Sequence, residues 1–183
     1  DPNFGFAGFR VIEGLSNAPA VTVAPSGKID LLGPTHTSTE RVKNPKKGKD
    51  EPKYKYIPIA EETITQLLPS GAADPSFSRK GETQIVHSRD VSLATLAVDA
   101  QGRILLAGRV AKRVAPNSKK NGLRRSSFVV VRVTKKGEID RSFGNKGQVA
   151  TGFGGPASSF ATQIALLNGN RMLVGGGITS PQL

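Results

Sequence analysis

The 183-residue sequence contains no cysteine and no tryptophan, and only one methionine and two histidines. The absence of cysteine excludes a disulfide framework, thiol catalysis and any Cys-ligated zinc or iron–sulfur site. Neither His36 nor His87 has a partner histidine at ligand spacing, and no Asp-x-Asp-x-Asp-Gly run gathers the oxygens of a calcium loop. No apolar run approaches the roughly 18 residues that read as a membrane span, so no transmembrane segment is expected. Gly-x-x-x-x-Gly-Lys-Ser/Thr and Gly-x-Ser-x-Gly are also missing, which leaves nucleotide hydrolysis and serine esterase chemistry without support. The chain opens at Asp1 without a methionine or a charged-then-apolar leader, so a targeting signal is expected to lie upstream or to have been removed.

Acidic residues are few, and their shortage is local. The sequence has 26 Lys and Arg against 14 Asp and Glu, a formal net charge of +12. Residues 41–55 (RVKNPKKGKDEPKYK) hold seven basic and two acidic residues, and residues 109–125 (RVAKRVAPNSKKNGLRR) hold seven basic and none acidic. These two segments carry the whole net charge, and the remainder is neutral. The pattern is that of an ordinary globular scaffold with two basic inserts.

Internal repeats organise the rest. One motif occurs as Asp1-Pro2-Asn3-Phe4-Gly5, Asp74-Pro75-Ser76-Phe77-Ser78 and Asp140-Arg141-Ser142-Phe143-Gly144, each followed by a second glycine at Gly8, Gly81 or Gly147. A 13-residue block recurs without gaps at 21–33 (VTVAPSGKIDLLG), 96–108 (LAVDAQGRILLAG) and 164–176 (IALLNGNRMLVGG), with its basic residue (Lys28, Arg103, Arg171) at a fixed place. A third block, 64–74 (ITQLLPSGAAD) and 130–140 (VVRVTKKGEID), leads straight into the Asp-x-x-Phe motif. The units are 1–73, with its basic insert at 41–55, then 74–139, with its insert at 109–125, and an incomplete third at 140–183.

Each 13-residue block is two short apolar runs around a polar turn, which predicts a hairpin of buried or half-buried strands. Its seventh position is Gly27, Gly102 or Asn170, the residue types that most readily take the positive φ of a tight hairpin. The third block predicts another strand, and a weaker one follows each Phe motif, for example at 84–87 or 148–151. Every unit thus has about four strands and no convincing helix, and about eleven strands are expected in all. Four-stranded units in series suggest a β-propeller, with a β-solenoid or stacked sandwich as competitor. The Asp-to-Asp spacings of 73 and 66 residues approach the roughly 40 to 50 of a plain blade once the inserts are removed, whereas solenoid coils are much shorter. The fold class expected is all-β, a partial propeller of two complete blades plus most of a third. A closed ring needs more, so the chain reads as a segment of a longer repeat protein, with missing blades supplied by further chain or by self-association.

The run Gly-x-Ile-Asp-Arg-Ser-Phe-Gly-x-x-Gly at 137–147, and the hairpin Ala-Val-x-x-x-Gly-Arg-Ile-Leu-Leu-Ala-Gly at 97–108, resemble the bacterial delta-60 repeat. The resemblance covers nearly the whole chain apart from the inserts. It implies a β-propeller-like domain on an exported or surface-associated bacterial protein, with no catalytic residues to carry over. Ser78 stands where the motif has glycine, and Gln163 and Gly175 make the third unit less regular.

Candidate chemistry is sparse. In the Asp-x-x-Phe motif the aspartate is expected to close an Asx turn and Phe4, Phe77 and Phe143 to anchor the sheets. His87-Ser88-Arg89-Asp90 has the residue types of a nucleophilic triad but places them side by side, where base and nucleophile cannot align. Residues 152–157 (GFGGPA) fit a loose dinucleotide pattern without the crossover helix that gives it meaning. No catalytic residue, cofactor or metal is read from the sequence.

The inserts remain. Both follow the same glycine of the repeat, Gly33 or Gly108, and both precede the same strand, so they are expected to emerge side by side from one face. The candidate polyanion-binding residues are Lys43, Lys46, Lys47, Lys49, Tyr54 and Tyr56 in the first, and Lys112, Arg113, Lys119, Lys120, Arg124 and Arg125 in the second. Their partners would be nucleic acid, a phosphate-bearing wall polymer, an acidic glycan or an anionic membrane surface, with a protein as a further possibility. The tyrosine rings could stack on bases or sugars. The plainer reading is a pair of solvated loops whose lysines protect exposed edges. The expected function is a non-catalytic scaffold or binding surface. The alternative is a fragment of a glycan-active propeller enzyme, which requires acids such as Asp30, Glu82 and Asp90 to converge, with no tryptophan for a sugar platform.

Overall fold

The computed structural model describes residues 1–13, 18, 20–43, 54–87, 90–113, 124–154 and 157–179. Among them there is no helix, and the chain forms ten strands in three antiparallel sheets. The first sheet has the order β1 (Ala20–Val23), β2 (Ile29–Lys43), β3 (Tyr54–Leu67), β4 (Glu82–His87). The second repeats it with β5 (Val91–Val98), β6 (Ile104–Arg113), β7 (Arg124–Val133), β8 (Gln148–Thr151). The third holds β9 (Ser158–Leu167) and β10 (Arg171–Thr179). Among the described residues no sheet closes on itself.

The repeated sequence yields repeated hydrogen bonding. In the β1–β2 turn the Gly27 N–H donates to the Ala24 carbonyl (2.9 Å) and the Ala24 N–H to the Lys28 carbonyl (2.8 Å), with Gly27 at φ 80°. The β5–β6 turn does the same through Asp99, Gly102 and Arg103, and the turn after β7 through Thr134, Gly137 and Glu138. This is a tight turn followed by one left-handed residue, the common geometry of a three-residue hairpin loop. In the β9–β10 turn both Gly169 and Asn170 have positive φ.

Each Asp-x-x-Phe motif folds identically. The aspartate Oδ1 accepts the N–H of the residue two positions on, Asn3 (2.8 Å), Ser76 (2.8 Å) or Ser142 (3.1 Å), which is the expected Asx turn. The Phe carbonyl then accepts the N–H of Gly8, Gly81 or Gly147. Residues 7, 80 and 146 precede those glycines with φ of 52–54°, so a left-handed pair reverses the chain. Ser78 holds φ 46° where Gly5 and Gly144 hold 56° and 55°, so a serine has taken over a glycine conformation.

The motif lies between the third and fourth strands of a sheet, so sheet and sequence unit are out of phase. β4 and β8 belong to the second and third sequence units but pair with β3 and β7 of the preceding ones. The strand expected after Phe4 reaches only a bridge, Phe6 to Phe9, because no third strand lies beside it among the described residues; this accounts for ten strands against about eleven.

The core follows from the period of two along each strand. Ile104, Leu106, Val129, Val131 and Val133 point one way, and pack with Leu32, Ile64 and Phe77 of the first sheet and its link. Leu105, Ala107, Phe128 and Val130 point the other way, onto Ala161, Ile164, Leu166, Met172 and Val174 of the third sheet. The middle sheet is therefore buried on both faces, which explains the unbroken Val-Val-Val and Ile-Leu-Leu-Ala runs of β7 and β6. The last glycine of the 13-residue block owes its place to close approach. A Cβ on Gly108 would lie 2.0 Å from the Ser92 carbonyl oxygen, and one on Gly176 would lie 2.0 Å from that of Phe160.

Candidate polyanion-binding hairpins

The two basic inserts are extensions of equivalent hairpins, β2–β3 and β6–β7. β1 covers β2 only from Ile29 to Leu32, and β4 covers β3 only from Glu61 to Thr65. Beyond Thr37↔Ala60 the first hairpin is a two-stranded ribbon that runs to Lys43↔Tyr54. The second extends past Val110↔Ser127 to Lys112↔Arg125 and Arg113↔Arg124. The described ends of both inserts are thus strand ladder rather than loop. Lys46, Lys47, Lys49, Lys119 and Lys120 lie outside the described residues.

Both ribbons leave from one end of the stack. At the opposite end, the β1–β2 and β5–β6 turns together line a cavity of about 250 Å³. Nearer the ribbons, the Leu93 N–H of the second sheet donates to Glu62 Oε1 of the first (3.2 Å). Two sheets held in this parallel alignment project their β2–β3 and β6–β7 hairpins the same way.

Cationic residues cluster at the ribbon ends. In the second hairpin, two successive cross-strand pairs set cation against cation, Lys112 opposite Arg125 and Arg113 opposite Arg124. Directly opposed like charges on a ladder are destabilising. In the first hairpin, Val42 faces Lys55, Arg41 faces Tyr56 and Lys43 faces Tyr54. The Arg41 guanidinium stacks on the Tyr54 ring at 4.3 Å, while Tyr56 is 65% exposed. Of the two tyrosines expected to stack on a ligand, Tyr56 is the open one.

A second polar arrangement was not visible in the sequence. Lys28 Nζ lies 2.5 Å from Asp74 Oδ2 across the first sheet, and Gln66 Nε2 donates to Asp30 Oδ1 (2.7 Å). One repeat later the cation has moved. Arg132, at the place of Gln66, pairs with Asp140 (2.8 Å) and stacks on Phe143 at 4.6 Å, while Arg103, at the place of Lys28, turns to Asp99 (2.6 Å). Asp30 is fully buried where the second repeat has Leu105, and burial raises its pKa against the Gln66 hydrogen bond. Burial also raises Glu62. For Asp74 burial is outweighed by hydrogen bonds from Lys28 and Ser76, which hold the carboxyl low. Asp140 is held low chiefly by the Ser142 hydroxyl, with Arg132 adding to it. The shift of the cation between repeats was the available sequence signal, since Lys28 and Gln66 become Arg103 and Arg132 at matched positions.

The acids named for an enzyme reading lie on different elements. Asp30 sits on β2 facing Gln66 and Glu82 starts β4; Asp90 lies at the ribbon end, its carbonyl accepting the Ala111 N–H (2.6 Å). Among the described residues no group of three His, Asp or Glu is placed to hold a metal ion, and no helix is long and apolar enough to cross a membrane. No protein-family model, curated protein or solved structure matches this chain.

Proposed function

We propose that the chain is a non-catalytic repeat scaffold that contacts a polyanionic polymer through its two basic hairpins. Support for a propeller segment comes from the sequential strand order and face-to-face packing of its antiparallel sheets, and the resemblance to the delta-60 repeat agrees with such a segment on an exported or surface-associated bacterial protein. The observation that carries the binding reading is the concentration of four basic residues on two adjacent rungs of one ribbon, Lys112↔Arg125 and Arg113↔Arg124. An anionic chain lying along the ribbon is attracted by this concentration of positive charge and releases condensed counterions on binding. Tyr56, exposed on the neighbouring ribbon, offers a ring for stacking on a base or sugar.

The test is a salt titration of binding to duplex DNA and to a heparin-type glycan. Affinity for at least one is expected to fall linearly with salt on logarithmic axes. Replacing Lys112, Arg113, Arg124 and Arg125 together by serine is expected to flatten that slope by about three to four ion equivalents. An unchanged slope with unchanged affinity refutes the assignment to this hairpin.

A further inference from the structure

The polar cluster around Lys28 departs from its repeats at two places at once. The cation of the 13-residue block is Lys28 in the first copy but Arg103 and Arg171 in the others, and the residue two positions on is Asp30 where the others have Leu105 and Leu173. An arginine serves an ion pair at least as well as a lysine, as Arg132 does for Asp140 (2.8 Å). What only the lysine offers is a primary amine that can lose its proton and act as a nucleophile.

Asp74 is almost wholly buried, with 3% of its side chain exposed, and its two oxygens have different surroundings. Oδ1 accepts two hydrogen bonds, from the Ser76 N–H (2.8 Å) and the Ser76 hydroxyl (2.7 Å). These donors polarise the carboxyl group and sit where negative charge develops on that oxygen when the carbon is attacked. Oδ2 lies 2.5 Å from Lys28 Nζ, closer than the roughly 2.7–2.9 Å of an ordinary ammonium–carboxylate hydrogen bond, and has no other partner among the described residues. Lys28 Nζ also reaches Gln66 Oε1 (3.5 Å), and Gln66 in turn donates to Oδ1 of the fully buried Asp30 (2.7 Å). Asp140 has the same serine cradle, with Ser142 at 3.1 and 2.6 Å, but meets the Arg132 guanidinium, so the second repeat has the acyl group without the amine.

We propose that Lys28 and Asp74 condense into an amide that ties the β1–β2 turn to the Phe77 motif. The pair rests as ammonium and carboxylate, and one proton crossing from Nζ to Oδ2 gives the neutral amine and acid with no change in net charge. The Nζ lone pair then attacks Cγ: the Nζ–Cγ bond forms, the Cγ–Oδ2 bond breaks, and Oδ2 leaves as water with that proton and a second one from Nζ. Nothing is oxidised or reduced, and no co-reactant is needed. Contact between the two groups raises the effective concentration of one at the other by orders of magnitude, and burial of Asp74 keeps out the water that drives the reverse reaction. Asp30 is a positioning residue that acts on Nζ through Gln66. The bond closes a loop containing the first basic ribbon, a constraint on the unfolded chain of the kind a disulfide supplies, in a sequence without cysteine. It is separate from the ribbon ends, so its failure leaves the polyanion reading standing.

Intact-mass spectrometry of the purified wild-type chain under denaturing conditions tests the proposal. The chain is expected to be lighter than its sequence mass by one water, and a tryptic digest to contain a branched peptide that joins the Lys28 and Asp74 segments and is uncut after Lys28. Lys28→Arg keeps the ion pair but not the amine, and is expected to show the full sequence mass with unchanged circular dichroism. Asp30→Ala is expected to lower the linked fraction several-fold, and Asp30→Asn, which keeps an acceptor for Gln66, to restore it. A wild type of full sequence mass overturns the inference. So does a water deficit that survives Lys28→Arg, or a branched peptide that joins other residues. Equal linked fractions in wild type and Asp30→Ala overturn the part given to Asp30.

Discussion

Phe77 offers the sharpest test of the packing, because the same sequence position occurs three times and only once in full burial. Phe77 is fully buried among Leu32, Ile64 and the rear face of the second sheet, whereas Phe4 and Phe143 are half-buried. Full burial of a phenylalanine side chain is worth about 1.5–3 kcal/mol by transfer alone. The void left by truncation raises the cost of Phe77→Ala to about 3–5 kcal/mol. Phe4→Ala and Phe143→Ala lose roughly half the transfer term, about 1–1.5 kcal/mol. Phe143 forfeits in addition its stacking with Arg132, worth about 0.5–1 kcal/mol. Urea unfolding followed by tryptophan-free probes, tyrosine fluorescence or far-ultraviolet circular dichroism, reads these as shifts in midpoint at constant slope. In a thermal scan the Phe77 variant is expected to melt roughly 6–20 °C below wild type. Equal losses at all three positions, or a loss at Phe77 below about 1.5 kcal/mol, refute the assignment of Phe77 to a closed inter-sheet core.

Gly108→Ala places a Cβ 2.0 Å from the Ser92 carbonyl and is expected to cost at least 1–3 kcal/mol, approximately, in denaturant unfolding, whereas Gly175→Ala, with Gln163 Cβ no closer than 3.9 Å, is expected to stay near neutral. Ser78→Gly relieves a left-handed serine at an exposed position and is expected to raise stability by about 0.5–1 kcal/mol in the same assay. Asp140 is held low in the folded state, so its contribution is present above the ordinary carboxylate value and is lost as pH falls through the folded value. The stability difference between wild type and Asp140→Asn is therefore expected to be constant above about pH 5 and to shrink below it. Glu62 is raised by burial and has the opposite sign: its ionisation costs stability as pH rises through the folded value, so Glu62→Gln, which keeps an acceptor for the Leu93 N–H, is expected to gain on wild type towards neutral pH.

Much of the fold was legible because the repeats expose turn chemistry. Gly27, Gly102 and Asn170 marked three hairpins, and the structure gives each a positive φ. Asp74 and Asp140 marked Asx turns, and each accepts the expected N–H. The weak strands proposed at 84–87 and 148–151 are β4 and β8. Which neighbour those strands pair with was not legible, since register depends on contacts far apart in sequence. The inserts misled in a different way. Their Lys, Pro, Gly and Asn content reads as loop, yet Arg41–Lys43 and Arg109–Arg113 continue the ladder, carried by the Ile, Tyr and Val residues beside them. The pairing of Lys28 with Asp74 was hidden because the two lie on opposite sides of the first insert, 46 positions apart.

The phase shift between sequence unit and sheet has a mechanical consequence. Because β4 is reached only after the chain has left β3, turned through the Phe77 motif and touched the next sheet, consecutive units are dovetailed rather than strung like beads. Tension applied along the chain cannot draw one unit away from its neighbour through a free linker. It must first strip β4 from β3 and pull Phe77 out of its socket, so resistance to extension resides in the joints.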